Sequence, residues 1–321
     1  MTPRLLTFIL FLALIRSSLA QSQAFTEVVP VDFLATRSVV LYDPAMTPDE
    51  LNQTQQAFQQ IGIDAVAYFE QDVVTAGKDV VRAYTEYFIS RQIRHIVFLD
   101  KGIDSYALRA ALFNQKTNLV DAGTVWRVQQ PKLTELLRNV FQDTWRSQKK
   151  KNFLISDSPE TDILVNPILG NRKELYAYDL KVDQLAVPRF GNEEMDKQLA
   201  QFFQDNYPLK YKLTDPGTDE KELRRSGCAY ILCFVRTRGV AARQVLGYDM
   251  NHRETAYASI TFPGGQLQLK TIPAQTEVYK FYFRHIDNGN VFLGNKWDAD
   301  ENWLDALRNH VLGFKTDAKL Y

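Results

Sequence analysis

Apolar and polar residues recur along this chain with two periods, and each switch between them marks the edge of an element. Val39 to Tyr42 is a short apolar run that reads as a buried strand. Thr47-Pro48-Asp49-Glu50 then has the form of a capping box with proline at the first helical position. Leu51, Thr54, Phe58 and Ile61 follow at helical spacing until Gly62 stops the pattern. Ala65 to Phe69 predicts a second strand, Thr75 to Arg91 a helix turning Val80, Val81, Tyr84, Tyr87 and Phe88 inward, and His95 to Leu99 a third strand. Strand, helix, strand, helix, strand is the grammar of an α/β sheet with parallel central strands. A hairpin and a helix from Ser105 to about Gln148 complete this first unit.

The same succession returns later. Leu185 to Val187 reads as a strand, and Asn192 caps a helix carrying Met195, Leu199, Phe202 and Phe203. Lys210 to Leu213, a short helix from Asp219 to Arg225, and the strand Ala229 to Val235 follow. Val278 to His285 and Val291 to Leu293 then flank Asp287-Asn288-Gly289-Asn290, whose Asn-Gly pair suits a tight hairpin turn. Past Trp297, Trp303, Leu307, His310, Val311 and Phe314 recur at helical spacing, with Asp298, Asp300 and Glu301 as negative charge at the helix start. In Ser105 to Thr144 the spacing from Asn118 to Trp126 to Arg138-Asn139 matches that from Asn290 to Trp297 to Arg308-Asn309 within one residue. An internal duplication accounts for this, with Trp126 over Trp297 and Leu137 over Leu307; the alternative is a chance likeness of two hairpin-helix units. The expected fold is therefore α/β: two tandem, duplicated units, each a mixed sheet with helices and a terminal hairpin-helix module. Residues 37–150 form the first, 151–182 a joint and 183–318 the second, with an extra hairpin near 254–272 between Glu254 to Thr261 and Gln266 to Ile272.

The first twenty residues stand apart from this pattern. Arg4 precedes an apolar run from Leu5 to Ile15, and Ser18-Leu19-Ala20 offers small residues for cleavage, so residues 1–20 read as a signal peptide. The run is shorter than the roughly 20 residues that span a bilayer. The expectation is an exported chain, periplasmic or secreted, without a transmembrane anchor. Removing Arg4 and Arg16 with that segment leaves 36 basic against 38 acidic residues, a balance that argues against nucleic acid as the main partner. Lys149-Lys150-Lys151 is the only compact basic run and reads as a solvated helix end. Cys228 and Cys233 stand five apart on an expected strand, on opposite faces and roughly 16 Å apart, which is beyond disulfide reach.

The segments EKELRRSGCAYILCFVRTRG and YKFYFRHIDNGNVFLGNKW, with the strand-helix succession around them, resemble the small α/β domains of bacterial envelope proteins such as the TolB amino-terminal domain and the CsgG-like domains. The resemblance implies a non-catalytic interaction or assembly domain; it transfers no site residues, because no family motif matches.

Motifs that enforce chemistry are missing. The chain has no phosphate loop, no GxGxxG, no GxSxG, no HExxH and no CxxC, and Ala76-Gly77-Lys78-Asp79 lacks the first glycine and the hydroxyl of a phosphate loop. The scattered histidines, His95, His285 and His310 among them, read as packed side chains, and nothing implies a cofactor or a metal. Two functional readings remain. One is an interaction or assembly protein that binds an envelope protein or a surface polymer, with Arg189, Arg236 and Arg238 at strand ends of the second unit suiting an anionic partner. The other is a metal-dependent hydrolase built on Asp43, Glu70, Asp72 and Asp100, each just past a strand end of the first unit, where ligands of parallel sheets commonly bind. Helix caps and turns are the plainer use of those four acids.

Overall fold

Two six-stranded mixed sheets, each with its own helices, make the chain α/β. The computed structural model describes residues 24–147, 155–156, 158–160, 165, 168–173, 177–251 and 254–320. The expected signal peptide at 1–20, the Lys149-Lys150-Lys151 run and parts of the expected joint lie outside the described residues. By their contacts, the chain up to Gln71 and Thr85–Ile163 form one unit, and Asp72–Tyr84 and the chain from Leu164 form the other.

The first unit runs β1 (Ala24–Thr26), β2 (Arg37–Tyr42), α1 (Pro48–Ile61), β3 (Asp64–Glu70), α2 (Lys78–Ser90, whose residues through Tyr84 count with the second unit), β4 (Ile93–Lys101), β5 (Tyr106–Leu112), β6 (Thr124–Gln130) and α3 (Leu133–Arg146). Its sheet order is β1-β6-β5-β4-β2-β3. β2 is parallel to β3 and β4, while β4, β5 and β6 are antiparallel in turn. Ser38 to Leu41 are fully buried, as a central strand covered on both faces requires. The capping box of α1 forms: Thr47 Oγ1 accepts from the Glu50 amide and Glu50 Oε2 from the Thr47 amide. Gly62 ends the helix at φ 98°, a left-handed conformation that suits glycine. Phe58 and Ile61 of α1 and Leu136, Leu137 and Val140 of α3 pack on Val40, Val97, Ala110 and Trp126. The unit starts ahead of the expected residue 37, since β1 pairs with β6 and Phe33 and Leu34 lie in its core.

The second unit runs β7 (Arg172–Lys173), β8 (Gln184–Pro188), α4 (Glu193–Asn206), β9 (Tyr211–Thr214), α5 (Glu220–Arg225), β10 (Cys228–Arg238), α6 (Gly239–Val245), β11 (Ala256–Thr261), β12 (Gln268–Pro273), β13 (Glu277–His285), β14 (Val291–Phe292) and α7 (Trp303–Asp317). Its order, β7-β14-β13-β10-β8-β9, repeats that of the first sheet strand for strand with the same parallel and antiparallel sense. The insertion is α6 and the separate β11–β12 hairpin. β7 falls inside the stretch expected to be a joint, so part of that joint belongs to the second sheet.

Register carries the repeat further. The third residue of the first central strand pairs with the fourth of the next in both units, Val39 with Ile96 and Ala186 with Ile231. The buried positions of α3, Leu136, Leu137, Val140 and Thr144, have the same spacing as Ala306, Leu307, His310 and Phe314 of α7. Leu137 therefore matches Leu307 as expected, and Val140 matches His310. The tryptophans do not match: Trp126 lies in β6 on the rung Val97–Ala110–Trp126, whose counterpart is Leu232–Phe283–Phe292, while Trp297 lies beyond β14. Of the acids expected at the start of α7, Asp300 and Glu301 directly precede it, and Asp300 Oδ1 accepts the Asn302 amide at 3.3 Å. Asn302 caps the helix, Asp298 pairs with Lys280, and Asp300 pairs with Lys270.

Candidate functional site

Ligands of parallel sheets bind past the carboxyl ends of the strands, where neighbouring strands send their connections to opposite faces. The order β9-β8-β10 creates such a point between β8 and β10. α4, which follows β8, packs with Leu232, whereas α5, which precedes β10, packs through Leu223 with Ile231, the next residue along and on the other face. The first unit has the equivalent point between β2 and β4.

The two points are built differently. β2 and β4 stay paired to Tyr42 and Leu99, and the Asp43 amide adds a further bond to the Leu99 carbonyl at 2.9 Å. β8 and β10 part after Ala186 and Ile231. The amides of Leu185 and Arg189 donate toward the β9 side, to the carbonyls of Lys210 (3.0 Å) and Thr214 (2.9 Å), so the alternate residues 186 and 188 face β10. Position 188 is proline, which has no N–H to give. Leu41 holds the same place in β2. A crevice therefore opens in the second unit where the first is sealed.

Its cavity measures about 480 Å³ and is walled by Pro188, Arg189 and Phe190 at the end of β8, by Ile231 to Phe234 and Arg236 of β10, and by Thr75 to Asp79. Two of the three expected binding arginines meet here. Arg189 reaches Asp215 at 3.1 Å and Arg236 reaches Glu277 at 2.7 Å, and the acids are 86% and 54% exposed. Pairs this open to water contribute between nothing and about 1 kcal/mol, so either guanidinium can exchange its partner for a ligand anion. Arg238 does not line the cavity. It pairs with Asp72, whose carbonyl also accepts from Thr237 Oγ1 at 3.0 Å, and so ties down the segment that forms one wall. The Arg236 amide donates to the Ala76 carbonyl at 2.7 Å, and a Cβ on Gly77 would sit 2.7 Å from the Phe234 carbonyl oxygen. Gly77 thus serves close backbone approach.

Behind the wall lies a buried charge network that the sequence did not announce. Asp79 accepts from Tyr282 Oη at 2.9 Å, Arg284 Nε at 3.0 Å and Arg82 Nη2 at 2.9 Å. Glu220 accepts from Arg82 at 2.7 Å and from Arg284 at 2.8 Å. Burial raises the Glu220 carboxyl, but the bonds and charges of the two arginines outweigh it and hold the pKa at about 2. Burial also pushes the nearby Cys233 thiol well up, which favours its protonated form. Both cysteines are free.

Asp43 falls just past β2 as expected, whereas Glu70 is the last residue of β3, Asp100 lies inside β4 next to its end, and Asp72 belongs to the second unit. The carboxylates of Asp43 and Asp100 are otherwise engaged. Asp43 Oδ1 accepts the Ala45 amide at 2.8 Å, and Asp100 takes Arg109 with both oxygens, at 2.8 and 3.2 Å. Glu50 closes the same edge, holding Lys101 Nζ at 2.9 Å and Tyr106 Oη at 2.6 Å. Among the described residues, no three His, Cys, Asp or Glu side chains come together to hold a metal ion, and no helix is long and apolar enough to cross a membrane. No family model, curated protein or solved structure matches the chain.

Proposed function

We propose that this chain is an exported binding protein, periplasmic or secreted, that catalyses no reaction and holds an anionic group of an envelope protein or surface polymer in the β8/β10 crevice. The observation that carries the reading is the open switch-point cavity with two arginines in weak, exchangeable pairs at its wall. The apolar remainder of that wall, Pro188, Phe190, Ile231 and Phe234, favours an anion with apolar surface beside it. The resemblance to envelope interaction domains points the same way. Titration of the full chain with octyl phosphate tests it. An Arg189→Ala, Arg236→Ala variant is expected to bind at least tenfold more weakly, and raised salt to weaken the wild type, while Asp43→Ala and Asp100→Ala leave binding unchanged. Equal affinity for a neutral octyl glucoside would overturn the reading.

A further inference from the structure

A second cavity, of about 70 Å³, lies against α7, β14 and the β11–β12 insertion. Its walls are mostly apolar, with Ile260, Phe262, Phe283, Phe292 and Phe314. Two buried polar atoms on them make no hydrogen bond: Asp298 Oδ1, which is in an ion pair with Lys280, and His310 Nε2, which has no partner. His310 is 3% exposed. Asn309, also on the wall, is already used, since its Oδ1 accepts the Phe262 amide at 3.0 Å and its Nδ2 faces the Asp298 carbonyl at 3.4 Å.

The network beneath the ring decides what that nitrogen offers. Lys280 is fully buried, and its Nζ lies 2.6 Å from the Leu293 carbonyl, 3.0 Å from the Phe281 carbonyl and 2.6 Å from Asp298 Oδ1. The Asp298 contact is off the ideal hydrogen-bond angle, yet at 2.6 Å the opposite charges decide it. The two carbonyls accept N–H bonds from the ammonium, and Asp298 neutralises its charge as an ion pair. His310 Nδ1 is 3.3 Å from Asp298 Oδ2 and 3.4 Å from Nζ; a carboxylate oxygen can only accept, so the contact with Asp298 is made by the tautomer that carries its proton on Nδ1. Burial, reinforced by the Lys280 charge, lowers the imidazole pKa and keeps the ring neutral. Nε2 is therefore a bare lone pair, oriented by Asp298, at an apolar cavity.

We propose that this cavity is a binding site for a small neutral molecule with an apolar body and one hydroxyl, an alcohol or phenol that donates its O–H to His310 Nε2. A water needs two to four polar partners, and beside His310 Nε2 the aromatic wall of Phe283, Phe292 and Phe314 offers none. A hydroxyl on an apolar body satisfies the lone pair and the wall together. Gly313 supports the assignment. It lies inside α7 and lines the cavity, and a Cβ there would meet nothing within 4 Å.

The test uses the full chain labelled with ¹⁵N at histidine, the His310 signals being assigned with His310→Val, since valine fills the matching place in the first unit. The free protein is expected to show a neutral ring protonated at Nδ1. Phenol and 2-butanol should move the Nε2 resonance saturably. Toluene and diethyl ether, matched in size but without the donor, should not. Gly313→Leu, which places a side chain in the cavity, should abolish the response while the protein stays folded. A proton on Nε2, an equal response to toluene, or no response to phenol and 2-butanol would overturn the proposal.

Discussion

His95 lies against Phe33 with ring centroids 5.4 Å apart, and its Nδ1 is 3.0 Å from Thr36 Oγ1. Burial, then the Arg94 charge, outweigh the pull of Asp32 and hold its pKa down at about 4. The unfolded chain binds that proton near the ordinary value of 6.5, so the folded state keeps its full margin above pH 6.5 and loses it as pH falls toward 4. The loss amounts to about 3 kcal/mol for the first unit. Urea midpoints measured from pH 7 to 4 should fall accordingly, and a His95→Gln variant should show a much flatter profile. Glu50, held near 2 because its bonds to Thr47, Tyr106 and Lys101 outweigh burial, acts in a lower window, between 4.5 and 2. At this scale the sequence was readable where position alone matters. Arg189 follows the end of β8, Arg236 lies near the end of β10, and both reach one cavity. Asp79 was not readable, because its partners Tyr282 and Arg284 come from more than 200 residues away in the chain. Lys280 was not readable for another reason: a charged side chain on a strand is ordinarily placed in water, and this one is fully buried.

Strand β8 shows how one residue shapes an element. If the missing N–H of Pro188 opens the crevice, Pro188→Val should extend the β8–β10 pairing by one rung and narrow the cavity. The variant is expected to show a slowly exchanging amide at position 188 and several-fold weaker binding of octyl phosphate; unchanged binding with that amide protected would separate the rung from the crevice. Most elements were legible from period and caps. The strand expected at His95 to Leu99 runs Ile93–Lys101, and the helix expected past Trp297 begins at Trp303 behind its Asn302 cap. β1 and β7 were missed because three residues and two residues show no period. The tryptophan match failed because spacing was counted through a segment where β14 stops at Phe292 and the chain leaves the ladder.

Across the whole molecule, two copies of one topology carry different edges, one sealed by Asp43, Glu50 and Asp100 with their partners, the other open at Pro188. A ligand held only by the second should protect only that unit, because binding stabilises the parts of the fold that must be intact to hold it. Hydrogen exchange with saturating octyl phosphate is expected to slow amides in 72–84 and 186–191 and to leave those of β2 and β4 as they were; slowing in β2 would place the ligand elsewhere. The repeat was visible in the order of strand and helix signals, and the insertion in its extra length. The function of that insertion was not visible, since the cavity beside α7 depends on side chains from five separate stretches.

Gly313 bears on how the protein would respond to selection. Glycine inside a helix is about 1 kcal/mol less favourable than alanine, and here no neighbour demands it. A laboratory population screened for heat tolerance alone should therefore replace it early, first by alanine and then by larger residues that fill the space. The survivors would melt higher and no longer smell the alcohol.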